Sequence, residues 1–246
     1  MKYGTWTVSS YEPADARALC AAGFSPITAA LLCSRGYRDA DAARAFLSCS
    51  YPLSSPFDLL DMDKAAARVR LALQRREHIA VFGDYDVDGI TATCLLTEFL
   101  RSRGGHVTSY IPARLEEGYG LNPIAIDTLK KQGGELIVTV DCGITANAEA
   151  ALCRQLGIDL VITDHHECKS DLPEAVALVD PHRKDQPLPV TEMAGVGVAF
   201  KLAAAIAGEQ EKLLDRLSTI LLENLTGVRV VRAFNSEKRE EKRMGD

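Results

Sequence analysis

Over the middle of the chain, short apolar runs alternate with stretches whose apolar residues recur at helical spacing. The runs lie at 79–82, 107–111, 136–140, 160–163 and 175–179, rich in Val, Ile and Leu, and each is closed by a polar turn. The helical stretches fill most of the gaps, at 91–100, 124–131 and 146–156. A bare apolar run of this length reads as a strand buried on both faces, whereas a period of three to four reads as a helix with one buried face. Their alternation predicts an α/β fold, a doubly wound parallel sheet flanked by helices.

The start of the chain has a different rhythm. Residues 14–47 are rich in Ala, Leu and Arg, with helical spacing clearest at 27–32 and 42–47, which predicts two short helices. Pro52, Ser54, Ser55 and Pro56 then read as a linker, and Asp63 as the cap of a helix over 64–69. The organisation expected is a short helical N-terminal segment and linker over 1–56, the α/β domain over 57–215, and a divergent helical tail over 216–246.

Composition narrows the class without choosing the chemistry. A chain of 246 residues with 47% hydrophobic and 25% charged residues can bury one large α/β domain or two small ones. No apolar run approaches the roughly 20 residues of a membrane span, and Met1 leads into no signal-peptide core, so a cytoplasmic protein without membrane contact is expected. The seven cysteines are odd in number and form no Cys-x-x-Cys pair, which points to reduced, mostly buried thiols and away from zinc. A net charge of -6 argues against bulk attraction to nucleic acid, although a local basic groove can coexist with an acidic site.

The chemistry is concentrated where three predicted strands end. Asp84 follows Val81-Phe82-Gly83, Asp141 follows Val138-Thr139-Val140, and Asp164 follows Val161-Ile162-Thr163. In a parallel sheet these positions share the rim where open α/β folds bind ligands. A single Asp after a strand is an ordinary turn former. Three carboxylates in one turn, Asp84-Tyr85-Asp86-Val87-Asp88-Gly89, are different, because they repel one another unless a cation compensates. An EF-hand would need a closing bidentate Glu and two flanking helices, and has neither here. Oxygen ligands joined by the imidazoles of Asp164-His165-His166 suit Mn²⁺ or Mg²⁺. If the backbone is extended there, His165 and His166 diverge, which divides their labour between metal and phosphate. His78, His106 and His182 stand alone and read as structural.

In this order, the Asp84–Gly89 turn, Asp141-Cys142-Gly143 and Asp164-His165-His166 resemble the DHH phosphoesterase superfamily and, within it, the RecJ family of single-strand-specific DNA exonucleases. The segments Asp61-Met62-Asp63-Lys64-Ala65-Ala66, Ile111-Pro112-Ala113-Arg114, Glu117-Gly118-Tyr119-Gly120 and Ala194-Gly195-Val196-Gly197-Val198-Ala199-Phe200-Lys201-Leu202 extend the likeness. The resemblance implies a metal-dependent phosphodiesterase acting on single-stranded DNA 5′ to 3′, with two ions, Mn²⁺ or Mg²⁺. It implies Asp84, Asp86, Asp88, Asp141 and His165 as ligands and Asp141, His165 and His166 as catalytic. It further implies that His166 and Arg114 bind phosphate, with Asp164 orienting an imidazole from behind. DNA repair and recombination are the implied setting.

The likeness stops after about residue 215, before the place where the family carries a further metal-binding Asp, so an incomplete site is expected. Residues 223–235, continuing to 240, resemble instead a segment of the membrane domain of ATP-binding-cassette exporters, as a fusion of two reading frames would. The same tail also reads as a plain amphipathic helix with a charged end. Two other functions stay open: a DHH phosphodiesterase acting on short oligonucleotides or cyclic dinucleotides, and an inactive binding or scaffold fragment.

Overall fold

The computed structural model describes residues 9–48, 54–113, 117–118, 120–169, 171–187 and 193–208. The chain divides into two compact units, 1–54 and 55–246. Arg114, expected to bind phosphate, and the tail over 216–246 lie outside the described residues.

Among its described residues the first unit holds three helices, α1 (Pro13–Ala21), α2 (Pro26–Ser34) and α3 (Ala40–Ser48), one more than the spacing predicted. α1 is only weakly amphipathic and buries just Leu19, so periodicity does not announce it. Pro13 at its first turn, with φ already helical, was the available signal. Leu19, Ala29, Leu32, Cys33 and Ala43 form a small separate core.

Among its described residues the second unit is built on five parallel strands. They are β1 (His78–Gly83), β2 (His106–Tyr110), β3 (Leu136–Val140), β4 (Asp159–Thr163) and β5 (Ala177–Val179), in the order β2-β1-β3-β4-β5. The predicted doubly wound parallel sheet is thus observed, with each strand close to its apolar run. The helices of this unit are α4 (Met62–Arg75), α5 (Val87–Ser102), α6 (Pro123–Lys131), α7 (Asn147–Gln155) and α8 (Gly195–Ala207).

Handedness decides which helix covers which face. The step from β1 to β2 runs one way along the sheet and the steps from β2 through β3 to β4 run back, so right-handed crossovers place α5 on one face and α6 and α7 on the other. The cores follow this division. Ile79, Val81, Val138 and Val161 pack with α4, α5 and α8, whereas Ala80, Phe82, Ile137 and Ile162 pack with α6 and α7. The direction in which successive strands are added reverses between β1 and β3, and ligands of such sheets bind beyond the carboxyl ends at that point.

The cap of α4 differs from expectation. The helix begins at Met62 with Asp61 as its N-cap in the left-handed region (φ 61), and Asp63 lies in the first turn. Asp61 makes no side-chain cap, because its carboxylate is taken by Lys64 and Arg183.

Candidate metal centre

Strand register aligns four aspartates. Gly83 pairs with Val140, Val140 with Thr163, and Thr163 with Val179. The residue that follows on each strand is Asp84, Asp141, Asp164 or Asp180, so one carboxylate leaves each of four adjacent strands at the same level. All four are buried, with exposures of 3%, 1%, 1% and 0%, so water screens none of them well. Asp180 is the member that sequence reasoning missed. Its signal was the same as for the other three, an Asp directly after an apolar run, but Asp-Pro after a short run reads as a turn.

Local folding fixes the first acidic turn. Asp86 is the N-cap of α5, its Oδ1 accepting from the amides of Asp88 (2.8 Å) and Gly89 (3.0 Å). α5 starts so close above Asp84 that a Cβ on Gly89 would lie 2.5 Å from the Asp84 carbonyl oxygen. Only glycine permits that approach. Asp88 reaches across to α8, where its oxygens accept from the amides of Gly195 and Val196, both at 2.7 Å. Those amides were not singled out from sequence, since 107 residues separate the partners.

Asp141 sits at the centre. Its backbone is left-handed (φ 61), which Asp tolerates better than most residues. Neither of its carboxylate oxygens has a hydrogen-bond partner, nor does Oδ1 of Asp84. The Nε2 of His165 lies 3.0 Å from Asp141 Oδ1 and 3.6 Å from Asp88 Oδ2, contacts of distance without hydrogen-bond alignment. Burial first, then the charges of Asp88 and Asp86, push the Asp141 carboxyl up to about 8. Burial and the Asp86 charge also raise Asp84, and burial pushes Asp180 up to about 6.

The two imidazoles do not diverge as expected. The chain leaves extended geometry after Thr163, because Oδ1 of Asp164 collects the amides of both His165 (2.7 Å) and His166 (3.2 Å) in a tight turn. The rings consequently lie 4.7 Å apart, tilted by 53°. Their surroundings still differ. The Nδ1 of His166 is 2.7 Å from Asp164 Oδ1, which raises His166 to about 9 against the opposing effect of burial. Asp164 Oδ2 accepts from the amide of Ile144 at 2.9 Å, anchoring the arrangement to the loop after β3. Elsewhere, His78 has both ring nitrogens satisfied, by the Gln132 carbonyl and the Thr108 hydroxyl, as a structural residue does.

These residues fit a divalent cation. Asp84, Asp86 and Asp141 each offer an oxygen, and Asp141, His165 and His166 each offer a ligand atom, within 4.8 Å of one another in both groups. Buried carboxylate oxygens without donors are costly unless neutralised by protons or metal. Oxygen-rich donors with imidazole match Mn²⁺ and Mg²⁺. Cys142, although next to Asp141, is buried in the α6–α7 core with its thiol facing the Phe82 carbonyl.

A parallel sheet with carboxylates and imidazoles gathered at its switch point defines an α/β domain with a candidate metal centre. The chain belongs to the DHH family: residues 78–225 match the model of the DHH family, N-terminal domain. It is 44% identical over 193 residues to the single-stranded-DNA-specific exonuclease RecJ of Bacillus subtilis (strain 168), a match covering 78% of this chain and 25% of that protein. It is 37% identical over 182 residues to RecJ of Escherichia coli (strain K12), covering 74% and 31% respectively. Its fold is similar to a crystal structure of exonuclease RecJ bound to manganese (TM-score 0.58, 37% identity, 63% of this chain and 39% of that one). It is also similar to RecJ from Thermus thermophilus in complex with Mn²⁺ (TM-score 0.62, 30% identity, 81% and 28%). The chain therefore spans between a quarter and a third of the length of these curated relatives. Among the described residues, no helix is long and apolar enough to cross a membrane.

Proposed function

We propose that this chain carries the metal centre of a cytoplasmic exonuclease that hydrolyses single-stranded DNA 5′ to 3′ in DNA repair and recombination. The observation that carries this reading is the pair of overlapping ligand groups centred on Asp141, whose two buried oxygens lack donors. The similarity to the single-stranded-DNA-specific RecJ exonucleases supplies the substrate.

In this reading Asp84, Asp86, Asp88, Asp141 and His165 hold two ions, Mn²⁺ or Mg²⁺. Bound there, the ions supply Lewis acidity towards a phosphodiester and lower the pKa of water. The protein's own side chains do the rest. Asp164 fixes the ring of His166 through Nδ1 and raises its pKa in the metal-free protein. His166 and Arg114 grip nonbridging phosphate oxygens, for which the planar guanidinium is suited. Asp86 and Asp88 are held by backbone amides, so their carboxylates need little reorganisation when a charge arrives.

The test is to incubate the purified chain and an Asp141→Ala variant with 5′-labelled single-stranded DNA and Mn²⁺, with duplex DNA as the comparison. Mononucleotide release from the single strand by the parent alone is expected. Cleavage of dinucleotides without cleavage of DNA would move the assignment to a short-oligonucleotide phosphodiesterase. Inertness towards both, with metal bound, would identify a binding or scaffold role.

A further inference from the structure

Gly195 opens helix α8 beside the metal centre. α8 has no side-chain cap of its own, since Ala194 occupies the N-cap. The amides of Gly195 and Val196, which a helix leaves without internal partners, are instead taken by Asp88. The positive end of the α8 dipole thereby faces the acidic cluster.

Nothing in the backbone requires glycine at this position. Gly195 lies in the helix and is absent from the positive-φ glycines. In a helix, glycine costs roughly 0.5–1 kcal/mol relative to alanine. Space accounts for it. A Cβ at 195 would lie 2.3 Å from Asp141 Oδ1 and 2.7 Å from its Cβ and Cγ. Asp141 has little freedom to retreat, being buried, with its backbone held left-handed after β3. Gly197, in the same turn, differs: the three atoms nearest a Cβ there all belong to the Met193 side chain, the closest at 3.3 Å.

We propose that Gly195 is a positioning residue for the metal centre, its bare Cα setting the place of the Asp141 carboxylate while its amide and that of Val196 hold Asp88. The first turn of α8 thereby fixes two carboxylates from different strand ends relative to each other. This inference rests on the metal-centre reading above.

The test compares Mn²⁺ binding by calorimetry in the full chain and its Gly195→Ala and Gly197→Ala variants, with folding checked by thermal melts in EDTA. The parent and Gly197→Ala should bind alike, whereas Gly195→Ala should bind about tenfold more weakly or lose an ion, the range typical of disturbed ligand support. Equal binding by Gly195→Ala would overturn the proposal. If the parent takes up no Mn²⁺, the metal-centre reading fails and the proposal falls with it. A double-mutant cycle covers the case in which Gly195→Ala alone does not fold. Asp141→Gly removes the opposing atoms and suits the left-handed backbone, so Gly195→Ala should then leave the melting temperature unchanged or raise it slightly, as alanine's helix preference takes over. A further loss of stability in that background would show that Gly195 serves something other than Asp141.

Discussion

Asp164 Oδ1 lies 2.7 Å from Nδ1 of His166 while also accepting the amides of His165 and His166. One carboxylate oxygen thus shapes the turn that carries both imidazoles and charges the second of them. Replacing Asp164 with Asn keeps an acceptor for the amides and removes the charge. The Asp164→Asn variant should let the pKa of His166 fall from about 9 towards the ordinary imidazole value. An NMR titration of the His166 ring in the metal-free protein reads this directly. On the proposed exonuclease reading, a cleavage rate about 10–100-fold lower should accompany it, as for other supporting groups. An unchanged His166 titration would show that Asp164 acts on the backbone alone.

Asp141 links stability to pH. Burial, with the neighbouring Asp88 and Asp86 charges, raises its carboxyl to about 8, well above the unfolded value. A group raised in this way contributes fully below its unfolded pKa, and the contribution is lost as pH rises through the folded one. In EDTA the parent should therefore melt progressively lower from pH 5 to pH 8.5. Asp141→Asn, which tolerates the same left-handed backbone, should make that slope shallower, with Asp180 and His166, both also raised, carrying the remainder. Mn²⁺ should restore the parent at high pH, and its binding below pH 8 should release a proton, detectable by calorimetry in buffers of different ionisation enthalpy. A melting temperature that rises with pH in EDTA would contradict the assignment.

The sheet was legible because its strands are buried on both faces, which writes them as bare apolar runs such as 136–140. Asp84, Asp141 and Asp164 were legible because each follows such a run. What escaped depends on contacts between distant segments. Asp88 meets Gly195 across 107 residues, and no local period reports such a meeting. The expected divergence of His165 and His166 assumed an extended backbone, and the amide contacts of Asp164 replace that backbone with a turn. Asp61, at the N-cap position where Asp63 was expected, gives its carboxylate to Arg183 122 residues away instead of capping α4, a contact that local sequence likewise does not report.

Arg183 ties the end of β5 to the start of α4. It donates to Asp61 Oδ2 at 2.7 Å, to the Leu178 carbonyl at 2.5 Å and to Asp185 Oδ2 at 2.7 Å. Both Asp61 and Arg183 are largely buried, so removing Arg183 leaves the Asp61 carboxylate with Lys64 as its remaining side-chain partner. Arg183→Met should cost about 3 kcal/mol in urea denaturation, as broken buried pairs do. Burial alone would raise Asp61, but hydrogen bonds from Lys64 and Arg183 outweigh it and hold the carboxyl below its usual range. A depressed carboxylate stabilises above its unfolded pKa and loses that contribution as pH falls through the folded one. The gap between parent and variant should accordingly narrow in acid, and a gap that widened there would contradict the pairing.

Asp180, the fourth aspartate of the row, should behave oppositely. Its Oδ1 accepts the His182 amide at 2.7 Å, but its buried Oδ2 has no partner. Burial, reinforced by Asp164, outweighs the His182 amide bond and raises the carboxyl to about 6. Its contribution is therefore present in acid and lost as pH rises through 6. Asn keeps the acceptor for His182 and carries no charge to bury. Asp180→Asn in EDTA should differ least from the parent below pH 4 and melt about 3 °C higher at pH 8, the scale expected for a change of about 1 kcal/mol in a domain of this size. A lower melting temperature at pH 8 would show instead that the folded protein compensates the Asp180 charge. His166, whose positive charge already lowers Asp180, would then be the group that matches it.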